Sequence, residues 1–168
     1  MTPNLDDTEC HAMTRSQKHA EFVSEFCTPG ALRCASLQDI AAAEDQMQTA
    51  FPAAYVSFVT HFGSGATPSV AALAREAEGW PMTQLLSPVE AVAVSRAGWQ
   101  TGLPRHLVAI AQGEQGDLLC FRRASKGQSR VEGTLWLFIA GSADVVRAFG
   151  SLDECLQEYS DARYDRNG

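Results

Sequence analysis

The sequence predicts an α+β fold: a mainly antiparallel sheet of about four to six strands with helices packed on one face. Three observations lead there. Apolar residues recur with helical spacing in most segments between Thr14 and Gly98, alternate with period two from Leu107 onward, and return to helical spacing after Ser151. A chain of 168 residues is long enough for one domain that buries about 70% of the surface its unfolded form exposes.

Residues 1–13 carry no usable periodicity and read as a mobile start. Thr14 to Cys27 reads as a helix with Phe22, Val23, Phe26 and Cys27 on its apolar stripe, stopped by Pro29-Gly30. Ser36 and Asp39 have capping-box spacing, so a second helix should follow through Leu37, Ile40, Ala41, Glu44, Met47 and Phe51. Pro52 suits the first turn of a third, in which Tyr55, Phe58, Val59 and Phe62 recur at i, i+3, i+4 and i+7 before Gly63-Ser64-Gly65. Ala66 to Trp80 reads as loop and partial helix, and Leu85-Leu86 as a short strand. Ser87-Pro88-Val89-Glu90 opens a helix that should turn Val89, Val92 and Ala93 inward and end near Gly98.

Leu107–Ala111 and Asp117–Phe121 then read as strands on either side of Gln112-Gly113-Glu114-Gln115-Gly116. A phosphate-binding loop would need a lysine and a following helix, so that amide dipoles and a cation meet the anion. Here there are two carboxylates and a strand, and the stretch is a hairpin turn in which Gly113 and Gly116 can take positive φ. Arg122–Arg130 is a basic loop, Val131–Ile139 a strand, and Val145, Val146 and Phe149 a short apolar segment. Ser151-x-x-Glu154 caps a last helix through Leu152, Cys155, Leu156 and Tyr159.

Composition narrows function. Twenty acidic residues against thirteen basic ones give a net charge of −7, which argues against nucleic acid as a direct ligand, keeps the chain soluble and permits attraction to a basic protein. The beginning of the chain lacks the basic-then-apolar pattern of a secretory signal, and no apolar run approaches the roughly 20 residues of a membrane span. Five cysteines at scattered spacing suit reduced thiols, hence a cytoplasmic setting, better than a disulfide framework. A cysteine hydrolase could be assembled only from Cys120 with His61 or His106 and Asp117, but Leu119 and Phe121 flank Cys120 as they would a core residue. Cys10-His11 lacks the spacing of a tetrahedral zinc site. The sequence therefore calls for no enzyme activity, no cofactor and no metal.

Glu44 through Phe51-Pro52-Ala53-Ala54-Tyr55 to Gly63-Ser64-Gly65, the apolar pair and capped helix of Leu85–Glu90, the strand pair around Gly116-Asp117, and the segment from Val145 to Tyr159 together resemble the Smi1/Knr4 (SUKH) superfamily. On that resemblance residues 36–160 form the family domain, residues 1–35 an N-terminal extension with one helix, and residues 161–168 a C-terminal tail. The resemblance implies a bacterial immunity protein that occupies a cognate toxin domain, commonly a nuclease or deaminase. Its alternative is a regulatory scaffold domain that binds a host signalling protein. For a toxin-binding surface the acids and aromatics of loops and strand ends are the candidates: Glu76, Glu78, Trp80, Trp99, Glu114, Asp117, Glu132 and Asp144. Trp136 falls within a strand in a way that suggests core.

Overall fold

The computed structural model describes residues 5–77, 79–124 and 133–167. Its elements are α1 (Leu5–Phe26), α2 (Leu37–Met47), α3 (Ala53–His61), β1 (Gly65–Ala66), α4 (Pro68–Ala77), β2 (Met82–Leu85), α5 (Pro88–Thr101), β3 (Leu107–Gly113), β4 (Leu118–Arg122), β5 (Leu135–Ile139), β6 (Asp144–Phe149) and α6 (Leu152–Asn167). The strands form one antiparallel sheet in chain order, β1 to β6. Every strand thus pairs with its sequence neighbour, the arrangement that minimises loop closure. The fold is α+β, as the change of period predicts.

Leu107 to Ala111 and Leu118 to Phe121 are all buried, successive residues included. Because adjacent side chains of a strand point to opposite faces, the middle of the sheet is shielded on both. Helix α5 lies against β3 through two side-chain hydrogen bonds. Ser95 Oγ accepts from the Ala109 N–H at 2.8 Å, and the Trp99 indole N–H donates to the Leu107 carbonyl at 2.9 Å. The first of these meets β3 where its register with β4 shifts, between Ala109 and Ala111, so a backbone donor next to the irregularity is satisfied by the helix. Tyr55 of α3 is fully buried and donates its hydroxyl to the Leu86 carbonyl at 2.7 Å. Phe51 packs on both Tyr55 and Phe121, joining α2, α3 and the sheet in one core.

The capping boxes at Ser36 and Ser87 are both formed, with the hydroxyl accepting from the third residue's N–H and that residue's carboxylate accepting from the cap's own N–H. The inward faces of these helices differ from the expected ones. In α2, Ile40, Ala43 and Met47 are buried, while Leu37 and Ala41 are exposed. In α5, Ala91, Val92, Ser95 and Gly98 face inward, whereas Val89 and Ala93 are exposed. The helix runs to Thr101 with left-handed Gly102 as its cap, because Gly98 serves close packing instead: a Cβ there would sit 2.9 Å from Leu103. Small inward residues let α5 approach the sheet, and apolarity alone misassigns that face.

Other boundaries shift for similar reasons. α1 begins at Leu5 rather than near Thr14. The stretch expected as loop and partial helix after Ala66 holds a complete helix, α4, whose Val70, Ala71, Leu73 and Ala74 form one buried face at helical spacing. The apolar segment ending in Phe149 is strand β6. In the β3–β4 turn only Gly116 takes positive φ, at 83°. Gly113 is needed for space, since a Cβ there would lie 2.8 Å from the Trp80 indole nitrogen.

Candidate partner-binding surface

The groups that could perform covalent chemistry are held apart. Cys120 is fully buried between Ala109 and Trp136 on the neighbouring strands, and burial pushes its thiol far above the ordinary cysteine range. A thiol in that environment is not a nucleophile. His61 ends α3 exposed, with Nδ1 2.8 Å from the Ser57 carbonyl, and His106 is exposed before β3. The Asp117 carboxylate accepts from the Ala140 N–H at 3.0 Å and so joins the β3–β4 turn to the end of β5. Among the described residues no group of three or more histidines, cysteines and acids could hold a metal ion.

The eight candidate contact residues fall at separate places. Glu78 and Glu132 lie outside the described residues. Glu76, Trp80 and Glu114 share one end of the molecule. Glu76 on α4 is ion-paired with Arg166 of α6, and Glu114 accepts from Arg75 Nε at 3.1 Å. Trp80 is half-buried against Gly113, and its carbonyl accepts the Tyr159 hydroxyl at 2.7 Å. Trp99 sits at the opposite end of β3, about 20 Å away at strand rise, where the guanidinium of Arg123 lies 5.2 Å from its ring centroid. Asp144, at the start of β6, is exposed. Several of these side chains therefore have intramolecular work: two acids bind arginines, Asp117 accepts from the Ala140 N–H, and the Trp99 indole holds the Leu107 carbonyl.

Two groupings escape the sequence reading. His19 on α1 is fully buried, edge-on to Phe58 and Phe62, with Nε2 2.5 Å from Asp153 Oδ1 on α6. Arg15 Nε donates to the other oxygen of Asp153 at 2.8 Å. Burial pushes the Asp153 carboxyl upward, but the His19 hydrogen bond and charge, together with the Arg15 charge and hydrogen bond, hold it below the usual carboxylate range. Nothing local marks this pair, since its members stand 134 positions apart. The second grouping is Trp136, which is half-buried rather than core, with the Arg122 guanidinium 4.6 Å from its ring centroid.

Residues 34–158 match the family model described as SMI1 / KNR4 family (SUKH-1). The chain belongs to this family. No curated protein sequence matches it. The match takes in every strand and α2 to α5, and enters α6, while α1 lies before it. In this SMI1/KNR4 chain α1 docks on the matched part through Phe22 and Phe26 against Phe58 and Tyr159 and through the His19–Asp153 contact. No helix among the described residues is long and apolar enough to cross a membrane.

Proposed function

We propose that this SMI1/KNR4 protein is an immunity protein that works in the cytoplasm, binding a cognate bacterial toxin domain and occluding its active or substrate-binding surface. The observation that carries this reading is the family match over residues 34–158, in a family whose members act by binding other proteins. A net charge of −7 supports a basic partner, because a nuclease or deaminase must attract nucleic acid and an acidic inhibitor is drawn to the same field. Burial of Cys120 and the hydrogen bond that Asp117 accepts from Ala140 count against the cysteine-hydrolase alternative. Glu76, Trp80 and Glu114, with Glu78 beside them in sequence, are the proposed acidic contact at one end of the sheet, and Trp99, Asp117, Glu132 and Asp144 the proposed contacts elsewhere. Glu76 and Glu114 would exchange Arg166 and Arg75 for cations of the toxin.

An interface of this kind buries about 800 Å² on each partner. The test is co-expression with the neighbouring open reading frame, followed by pull-down and growth rescue. Rescue with stable capture is the expected result, with an association rate that falls at least about tenfold between low and high salt. Capture of a signalling protein without rescue would replace the toxin reading with the scaffold one.

A further inference from the structure

The arginines of this chain are unevenly committed. Arg15, Arg75 and Arg166 are ion-paired with Asp153, Glu114 and Glu76. Arg123 and Arg163 donate to the carbonyls of Met47 and Glu25, at 3.0 and 2.8 Å. Arg122 and Arg147, like Arg33, Arg96 and Arg105, are exposed and make neither kind of contact among the described residues. The strand register brings Arg122 and Arg147 together. Cys120 is opposite Trp136, and Trp136 is opposite Arg147, so the three form one row across β4, β5 and β6 on the same face. Arg122 is two residues beyond Cys120 and shares that face, its guanidinium stacked on the indole. The nearest acid on β6, Asp144, is opposite Ile139 and points to the other face. Among the described residues Trp136 therefore lies between two cations without an ion-pair partner, and its indole N–H, shielded from water, has no acceptor.

We propose that this Arg122–Trp136–Arg147 face is a docking surface for an acidic protein segment. Arginine presents a planar fork that fits a carboxylate in bidentate fashion, and tryptophan and arginine are the residue types that concentrate interface energy. Stacking on Trp136 holds Arg122 in place before a partner arrives, which lowers the ordering cost of binding. Charge selects the kind of partner. A phosphate backbone needs a longer run of cations than two and would meet the repulsion of a chain with a net charge of −7. A short stretch of glutamates or aspartates with an apolar side chain among them needs only this local patch. The inference is independent of the toxin reading, because it concerns the oppositely charged face and stands whichever partner the acidic end meets.

The test follows the Trp136 indole N–H resonance of the full chain, assigned with Trp136→Phe, during titration with a poly-glutamate peptide and separately with a single-stranded oligothymidylate. The expected result is a saturable shift with the peptide that weakens about tenfold or more in the Arg122→Ala/Arg147→Ala variant. The Arg75→Ala/Arg166→Ala variant, whose arginines already have partners, should stay within about twofold of the parent. Absence of a saturable shift, an equal shift in the Arg122→Ala/Arg147→Ala variant, or tighter binding of the oligothymidylate than of the peptide would each overturn the proposal.

Discussion

The β3–β4 hairpin and helix α1 are held by opposite means. The hairpin is buried on both faces along most of its length, and its backbone is paired with β2, with β5 and within itself. Helix α1 lies before the family match and docks by one stripe, Phe22 and Phe26, with a polar clasp from His19 and Arg15 to Asp153. Damage to the hairpin removes packing from every layer at once. Damage to α1 loosens a single docking face and leaves the sheet paired. Cooperative units of unequal stability are the general consequence of such unequal contact.

The largest effect that would test this contrast is Phe121→Ala. It removes a fully buried ring from the sheet centre, where Phe51 packs on it, and should cost about 3–5 kcal/mol. Chemical denaturation should show one cooperative transition at a lower midpoint; a loss below about 1 kcal/mol would contradict the hairpin's place at the centre of the core.

Next is the α1 clasp, read through pH. The Asp153 carboxyl is held below its ordinary value in the folded chain, so its stabilisation is fully present above the unfolded value of about 3.9 and is lost as pH falls through the folded value. Asp153→Asn should remove that part of the acid dependence of the urea midpoint, and the curves of parent and variant should converge at the lowest pH. Identical slopes in acid would show that the carboxylate does not hold α1.

Smallest of the three is Ser87→Ala, the half-buried cap at the start of α5 next to Leu86, whose N–H donates to Ile110 of the hairpin, with an expected loss of about 1 kcal/mol in a thermal melt. A loss as large as that of Phe121→Ala would mean that α5, rather than the hairpin, governs the cooperativity of the sheet.

Local sequence fixed the element types wherever the physical cause is itself local. The capping boxes at Ser36 and Ser87, the Pro52–Phe62 helix and the glycine-containing turn before Asp117 could be read from a few adjacent residues, because the groups that satisfy one another lie three or four positions apart. Which side of α5 faces inward could not, because Ser95 and Gly98 acquire their roles only from the nearness of Ala109 and Leu103. The candidate surface divided in the same way. Residue type pointed to acids and tryptophans, but only the packing gave Glu114 to Arg75 and Trp99 to the Leu107 carbonyl.

By itself the sequence determined an acidic α+β chain of the SMI1/KNR4 pattern with no phosphate loop. Tertiary structure alone decided that His19 meets Asp153 and that Arg122 and Arg147, both exposed, share one sheet face with half-buried Trp136. The reason is geometric: helix docking and strand register bring together side chains whose spacing along the chain carries no information about their distance in space.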